Sequence, residues 1–135
     1  MLKLVADANI LFSFFKRDST ARELITSVEL LKLYSPELAL KELTKYKELI
    51  CKKSKLNETE FEESLKALKL FVSFESEDFF KKLLPKARKI SPDIDDAAYF
   101  ALALKLGCSI WSNERRLKRQ SVVKVLTTED LARLL

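Results

Sequence analysis

Residues 93–117 read DIDDAAYFALALKLGCSIWSNERRL and contain, in order, a run of acids, a long apolar stretch, a glycine and a second apolar run. Ser91 and Pro92 are typical of a helix start, and we predict that a buried helix follows them. Gly107 is expected to end this helix, because glycine readily adopts the left-handed backbone of a C-terminal cap. Residues 108–112 then predict a buried strand. A buried helix that leads into a buried strand is typical of an α/β protein.

The rest of the chain alternates short apolar runs with helical patterns. The apolar runs predict strands at residues 2–6, 31–34, 72–74 and 122–126. Apolar side chains at helical spacing predict helices that start after Asp7 and at Ser19, Ser35–Pro36, Asn57, Ser76 and Thr127. We expect the helix from Pro36 to reach about Lys53. The helix from Ser76 is expected to end near Pro85. This alternation predicts an α/β fold with a mostly parallel sheet.

The composition is that of one folded domain without a membrane segment. The 135 residues are 47% apolar and 33% charged, which is typical of a globular protein, so we expect a single domain over residues 1–135. No apolar run approaches the roughly 18 residues of a membrane span, and the N-terminus lacks the features of a signal peptide. We therefore expect a cytoplasmic protein. Cys51 and Cys108 match no metal or redox spacing and are expected to be reduced thiols.

Scarce residue types exclude several classes of site. The chain has no histidine, so the commonest general base is absent. Its single glycine excludes a Walker loop and a dinucleotide-binding fingerprint, since both need several glycines. A net charge of +5 suits a polyanionic partner such as nucleic acid, but ordinary solubilising charge explains it equally well. The richness in Lys and Glu, with few Asn and Gln, favours a thermophilic source.

Four carboxylates fall where predicted elements begin or end: Asp7, Glu42, Asp96 and Glu114. Asp7 follows the first strand and Glu114 follows the strand at 108–112, so both are expected at the carboxyl ends of strands. In parallel sheets the ligand crevice lies beyond those ends. Asp96 opens the buried helix, and Glu42 borders the apolar face of its own helix. The four side chains are therefore predicted to meet in one crevice.

Carboxylates that meet need a positive partner. Two of them about 4 Å apart repel by roughly 4 kcal/mol at an effective dielectric of 20. A helix N-terminus offers only about 0.3–1 kcal/mol of compensation. Either some of the acids are protonated or a divalent cation lies among them. Hard oxygen ligands favour Mg²⁺ or Mn²⁺.

Each acid also has an ordinary structural explanation. An aspartate after a strand is often a turn or helix cap, and helix glutamates and loop acids usually lie at the surface. Asp93 and Asp95 are expected to cap the buried helix or balance its dipole, and Asp96 could do the same. The metal-site hypothesis therefore depends on the joint pattern rather than on any single acid.

A basic cluster follows Glu114: Arg115, Arg116, Lys118 and Arg119. Cations beside an acidic metal site could hold the phosphates of a nucleic acid. A solvated basic face explains each of these residues about equally well. The second basic run, residues 45–55, is expected to be such a face.

These residues resemble the motifs of the PIN domain family, the nuclease fold of VapC-type toxins and related ribonucleases. The opening VADANIL is similar to the family's strand-Asp-x-Asn start, with Asp7 as its first acid and Asn9 as a supporting polar residue. Glu42, in PELALKEL, resembles the helical glutamate of the family.

The segment 93–117 is the closest match to the family pattern. The family shows an Asp five residues before an Ala-x-Ala pair, and this register selects Asp96. Ser112 and Glu114 take the two polar positions at the end of the following strand. Glu114 departs from the pattern, because the family usually has Asp there.

The resemblance implies a three-layer α/β/α sandwich around a central parallel sheet and the cleavage of RNA by a Mg²⁺- or Mn²⁺-dependent endonuclease. Asp7 and Asp96 would then bind the principal metal, with Glu42 completing the set of ligands and Glu114 helping to hold a second cation. Asn9 and Ser112 would orient these ligands from behind. The resemblance also implies a homodimer and, for toxin members, a small antitoxin protein as partner.

Two other functions remain open. The main alternative is a PIN-like module that binds RNA or a protein without cleaving, because Glu114 replaces the usual Asp. A metal-dependent phosphatase or phosphoacceptor domain would use Asp7 as its nucleophile. Such phosphatases usually carry a second Asp two residues later, where this chain has Asn9.

Overall fold

The computed structural model describes residues 1–135 and contains one five-stranded, all-parallel sheet. Its strands are β1 (Leu2–Ala6), β2 (Leu31–Pro36), β3 (Val72–Glu75), β4 (Ser109–Trp111) and β5 (Val125–Leu126). The helices are α1 (Ala8–Phe14), α2 (Thr20–Ile25), α3 (Leu38–Lys45), α4 (Lys47–Ser54), α5 (Glu58–Phe71), α6 (Glu77–Phe80), α7 (Leu84–Ile90), α8 (Ala97–Leu106) and α9 (Thr128–Leu134). Helices cover both faces of the sheet, so the predicted three-layer α/β/α sandwich is confirmed.

The strand order β3-β2-β1-β4-β5 places β1 at the centre of the sheet. From β1 the chain moves outward through β2 to β3, and then crosses back to β4 on the other side of β1. The direction of winding therefore reverses between β1 and β4. In open parallel sheets, ligands bind in the crevice beyond the carboxyl ends of the strands, at the point where this reversal occurs.

Right-handed crossovers place the two groups of helices on opposite faces of the sheet. On one face α8 packs across β1, β2 and β4 and is flanked by α6 and α7. On the other face α2 and α3 pack on β2, α1 packs against both of them, and Phe15 and Phe61 stack with their ring centroids 4.9 Å apart. The core includes the fully buried Trp111 and Phe100. No helix combines the length and the apolar character that a membrane crossing requires.

The predicted helix caps are largely confirmed. The Ser19 hydroxyl accepts a hydrogen bond from the Arg22 amide at 3.0 Å. Asn57 and Thr127 each form a capping box with the acidic residue three positions later. Gly107 ends α8 with φ 65°, in the left-handed region, as its position after the apolar run predicts.

The predicted helix start at Ser35–Pro36 is wrong. Both residues belong to β2, and the buried Ser35 hydroxyl donates a 2.9 Å hydrogen bond to the Ala6 carbonyl of β1 instead of capping a helix. The helix predicted from there to about Lys53 is two helices, α3 and α4, separated at Tyr46. Tyr46 leaves the helical conformation and its ring packs edge-on against Phe12, so a tertiary contact accompanies the break.

Two further boundaries differ from the prediction. Pro85 lies in the first turn of α7, where its missing N–H costs nothing, so it begins a helix rather than ending one. Ser91 ends α7, and α8 begins only at Ala97, after a 3₁₀ turn at Ile94–Asp96.

The last strand is shorter than the predicted 122–126 and holds only Val125–Leu126. The Gln120 side chain explains the difference. Its amide group donates to the carbonyls of Leu117 and Val123 and accepts from the amides of Val122 and Val123. These hydrogen bonds hold the residues before Val125 in a loop.

Candidate active site

Asp7 lies in the crevice between β1 and β4. Its amide donates to the Trp111 carbonyl at 3.2 Å, and its Oδ1 accepts from the Ile10 amide at 3.0 Å. Asp7 therefore caps α1, as the structural explanation of this residue predicts. Its side chain is only 5% exposed, although no ion pair compensates its charge. A cap alone does not require such burial, because most capping side chains lie at the surface.

The other three predicted carboxylates reach the same crevice from separate elements. Glu42 comes from α3, Asp96 from the 3₁₀ turn before α8, and Glu114 from the loop after β4. Together with Asp7 they line one cavity of about 80 Å³. Its lining residues are Asp7, Ala8, Asn9, Glu42, Asp96, Tyr99, Glu114 and Arg116.

The two predicted supporting residues lie on either side of Glu114. The exposed Asn9 donates from Nδ2 to Glu114 Oε1 at 3.4 Å, which links α1 to the loop after β4. The fully buried Ser112 accepts from the Glu114 amide through its hydroxyl at 3.0 Å. Both residues thus contribute to the position of Glu114 in this structure.

Burial dominates the electrostatics of Asp7. Burial, together with smaller effects of the Asp96 and Glu114 charges, raises the pKa of this carboxyl to about 6 against the opposing effects of the Ser112 hydroxyl and the Ile10 amide. The pKa values of Glu42 and Asp96 are also raised, in each case first by burial and next by a neighbouring carboxylate. The raised pKa values therefore indicate a buried cavity in which carboxylates lie near one another.

Arg116 supplies part of the missing positive charge. Its guanidinium lies 3.0 Å from the Asp93 carboxylate, 3.3 Å from Glu114 and 3.8 Å from Asp96. No ion pair joins Arg116 to Asp7 or Glu42. The arginine therefore balances Asp93, Asp96 and Glu114 but not Asp7 or Glu42, and the charge of Lys45 lowers the pKa of Glu42 without an ion pair.

The remaining members of the basic cluster differ in their surroundings. Lys118 forms a 2.7 Å ion pair with Asp130 of α9, and this pair lowers the pKa of Asp130. Arg115 and Arg119 are exposed and form no ion pair. Of the four residues predicted to contact nucleic acid, these two keep fully available guanidinium groups.

The donor chemistry of the cavity fits a hard divalent cation. All four acids offer oxygen ligands, no histidine or thiol lines the cavity, and its volume exceeds the roughly 10–15 Å³ that a single buried water needs. No group of three acidic side chains stands close enough together to hold a metal as the side chains are placed. Cation binding thus requires the carboxylates to turn toward one another, which their rotatable side chains permit.

Two residues of the cavity region were not selected from the sequence. Tyr99 lies three positions after Asp96 on α8, so helical spacing alone could have placed it beside that acid. Asp93 was expected to cap the helix. It does accept a hydrogen bond from the Asp95 amide at 2.9 Å, but its second role, the ion pair with Arg116, depends on the folding of a loop beyond β4.

Solved structures with the same fold include proteins from Rickettsia felis and Pyrobaculum aerophilum. VapBC2 from Rickettsia felis, bound to a DNA fragment from its promoter, matches with a TM-score of 0.65 and 12% identity, over 93% of this chain and 98% of that chain. PAE2754 from Pyrobaculum aerophilum matches with a TM-score of 0.68 and 17% identity, over 98% of this chain and 89% of that chain. At these identities the likeness concerns the fold alone.

Comparisons at the level of sequence give a family but no individual relative. No curated protein matches the chain closely enough to count as a relative. The model of the PIN domain family matches residues 5–135. Because that match extends from β1 to the C-terminus and includes all four carboxylates, this protein belongs to the PIN domain family.

Proposed function

We propose that this protein is a Mg²⁺- or Mn²⁺-dependent endoribonuclease that acts as one PIN domain over residues 1–135. One observation carries the proposal: Asp7, almost fully buried and without an ion pair, shares a small cavity with three other carboxylates. A helix cap does not require three neighbouring carboxylates, and a bound cation would relieve the repulsion among them. Membership of a family that generally consists of metal-dependent nucleases supports this assignment.

Each carboxylate has a distinct role in the proposal. Asp7 and Asp96 hold the principal cation, and Glu42 completes the set of ligands. Glu114, at the mouth of the cavity, helps with a second cation. A divalent cation in such a site lowers the pKa of a coordinated water and stabilises the negative charge that develops on the phosphate, which suits a chain without histidine.

Asn9 and Ser112 keep Glu114 in place during the reaction. The Asn9 amide and the Ser112 hydroxyl both contact Glu114, one at its carboxylate and one at its backbone amide. Ser112 also favours the ionised form of Asp7, because its hydroxyl lowers the pKa of that carboxyl. Side chains behind metal ligands commonly have this orienting function.

RNA approaches along the basic side of the cavity. Arg115 and Arg119 are free to contact phosphates, whereas Arg116 exchanges its carboxylate partners for a phosphate when substrate binds. Lys118 contributes through its charge near the same loop. These contacts position the backbone and carry no base specificity, so selection of the RNA depends on its shape and exposure.

We also propose that the protein is the toxin of a toxin–antitoxin pair, forms a homodimer and acts in the cytoplasm. The structural likeness to VapBC2 from Rickettsia felis, together with the family assignment, supports an antitoxin partner. Co-purification with the product of the adjacent upstream gene tests the pair, and light scattering of the isolated protein tests the homodimer. An isolated monomer with no small protein bound would contradict both parts.

Cleavage by Asp7→Asn and Asp96→Asn variants tests the nuclease. Both amides keep the size of the side chain and remove its charge, so metal-dependent cleavage of a labelled single-stranded RNA is expected to fall by at least about a hundredfold, as is typical when a group that stabilises the transition state is removed. Asp18→Asn, at an exposed aspartate that does not line the cavity, is the matched control and is expected to keep full activity. Cleavage that survives in either variant, or in excess EDTA, would refute the proposal.

A second function is favoured by Arg116. Because its guanidinium already contacts Asp93, Asp96 and Glu114, these three acids are balanced without a metal, as in a module that binds RNA without cleaving it. Titration of Mn²⁺ separates the two functions. RNA binding that is unaffected by Mn²⁺, with no cleavage at any Mn²⁺ concentration, would favour the binding module.

A further inference from the structure

Tyr99 presents its hydroxyl group to the acidic cavity from α8. It lies three residues after Asp96, which is one helical turn, so the two side chains share a face of the helix. The tyrosine is only 2% exposed and is part of the cavity lining. Its ring is held by the core of the protein, and its hydroxyl points toward the carboxylates.

The Tyr99 hydroxyl makes no hydrogen bond of normal geometry. It is the one buried side-chain polar atom in the structure without a donor or an acceptor in reach of normal geometry. Buried tyrosine hydroxyls usually find a partner, because leaving one unpaired is unfavourable. An unpaired hydroxyl on the wall of the acidic cavity is therefore available to a carboxylate of the same cavity.

The surroundings of Tyr99 identify that partner. Tyr99 and Glu42 line the same cavity. Burial and the charges of Glu42, Asp7 and Asp96 raise the pKa of the phenol against an opposing effect of the Ala8 backbone, so the phenol is protonated and can donate. Among the carboxylates, Glu42 has the largest effect on the pKa of Tyr99. In return, the phenol is the side chain that lowers the pKa of Glu42 most. The two groups are therefore neighbours that have not closed a hydrogen bond of normal geometry.

We propose that Tyr99 is a positioning residue whose hydroxyl donates a hydrogen bond to the Glu42 carboxylate in the cation-bound site. The proposal rests on the proposed function, since it concerns how one ligand of that metal site is held. Glu42 has a long, flexible side chain. Without a hydrogen bond to hold it, the loss of side-chain entropy on binding would weaken the affinity for the cation. A rigid donor anchored in α8 removes part of that cost and fixes one carboxylate oxygen, which leaves the other free to bind the cation.

The structure distinguishes this role from an ordinary structural one. A hydroxyl that stabilises the fold has a partner in the metal-free protein, and its removal lowers stability. Tyr99 has no such partner, so Tyr99→Phe is expected to leave the melting temperature in EDTA unchanged or to raise it. The same substitution is expected to weaken cation binding. A weaker affinity for the cation without a lower melting temperature in EDTA is the result expected of a positioning residue.

The test is a Mn²⁺ titration of the full-length protein, followed by electron paramagnetic resonance of free Mn²⁺. Tyr99→Phe is expected to raise the Kd for Mn²⁺ about tenfold, the lower end of the range for residues that orient metal ligands. Tyr34→Phe, at a buried tyrosine of β2 outside the cavity, is the matched control and keeps the wild-type Kd. Thermal unfolding in EDTA gives the second readout for both variants.

A double variant tests the named partner. In a Glu42→Gln background Tyr99→Phe is expected to raise the Kd by less than about twofold, because the hydrogen bond to the carboxylate is already weakened. A Tyr99→Phe protein with the wild-type Kd, or one that melts clearly below wild type in EDTA, would overturn the inference. An equal tenfold effect in the Glu42→Gln background would overturn Glu42 as the partner and so the inference too.

Failure of the inference and failure of the proposed function give different results. If wild type binds Mn²⁺ and cleaves RNA while Tyr99→Phe binds Mn²⁺ equally well, only the role of Tyr99 is refuted. If wild type binds no Mn²⁺ at millimolar concentration, the metal-dependent nuclease is refuted, and the inference that depends on it is refuted with it.

Discussion

The guanidinium of Arg116 lies 3.8 Å from the carboxylate of Asp96, at the mouth of the cavity where Asp96 is proposed to bind a metal. The arginine comes from the loop after β4 and the acid from the turn before α8, so the contact links the two ends of the segment 93–117. Arg116 lowers the pKa of Asp96 while burial and neighbouring carboxylates raise it. The charge of this arginine and that of a bound cation therefore compete for the same acid.

Replacement of Arg116 by Gln is expected to tighten Mn²⁺ binding and weaken RNA binding. The ion pair is partly exposed, with the Arg116 side chain 46% and the Asp96 side chain 23% accessible. Such a pair contributes about 0.5–1 kcal/mol, so its loss is expected to lower the Kd for Mn²⁺ by about threefold. Isothermal titration measures the metal affinity, and fluorescence anisotropy with a labelled RNA in EDTA measures the loss of a phosphate contact.

Arg119→Gln is the control for Arg116→Gln, because Arg119 is exposed and forms no ion pair. It is expected to weaken RNA binding without changing the Kd for Mn²⁺. An unchanged or raised Kd for Mn²⁺ in Arg116→Gln would contradict the competition.

The charge of Asp7 is expected to make the metal-free protein less stable as the pH rises. The pKa of Asp7 is raised from 3.8 to about 6 in the folded state, so between these values the folded protein binds more protons than the unfolded chain. The free energy of unfolding therefore falls as the pH rises from about 4 to about 6. The total loss is about 3 kcal/mol for a pKa shift of this size.

Asp7→Asn isolates this contribution, because Asn keeps an oxygen that accepts from the Ile10 amide and cannot ionise. In EDTA at pH 7.5 the variant is expected to be more stable than wild type, and the difference is expected to vanish below about pH 4. Urea unfolding at four pH values between 4 and 7.5 measures it. Parallel curves for the two proteins would show that Asp7 is not destabilised by burial.

Gly107→Ala is expected to destabilise the fold without affecting the cavity. Gly107 has φ 65°, and a Cβ at this position would meet no atom within 4 Å, so backbone strain is the only cost. An L-residue in the left-handed region costs about 1–2 kcal/mol. Urea unfolding is expected to show a loss of this size, smaller in Gly107→Asn because Asn tolerates that backbone. A wild-type stability for Gly107→Ala would mean that the end of α8 rearranges.

Ser35→Ala is expected to lower stability by about 1 kcal/mol through the loss of one buried hydrogen bond. The Ser35 hydroxyl donates to the Ala6 carbonyl at 2.9 Å, directly before Asp7 in the chain. Ser73→Ala, at an exposed position of β3, is the control and should leave stability near that of wild type. Chemical denaturation gives both values. Equal stabilities for the two variants would show that the hydrogen bond contributes nothing.

Local structure was predictable at several helix ends. The capping boxes at Asn57 and Thr127 and the glycine cap at Gly107 depend on contacts within a few residues of chain, and all three are present. The α/β class and the position of Asp7 after the first strand follow from apolar patterns of the same short range. Some boundaries were nevertheless wrong for local reasons, as at Pro85 and in the loop that the Gln120 side chain holds, and others because a distant segment competes. Ser35 was expected to cap a helix, but β1 lies close enough to accept its hydrogen bond.

The composition and order of the elements by themselves established the parallel sheet, the PIN-like pattern and four acids at element ends. Only the tertiary structure decided that Asp7 and Glu42 form no ion pair, that Arg116 balances Asp93, Asp96 and Glu114, and that the Tyr99 hydroxyl makes no hydrogen bond of normal geometry. The physical reason is the range of the forces. Backbone caps and apolar periodicity act over one or two turns, whereas burial and ion pairing depend on which distant segments meet across the sheet.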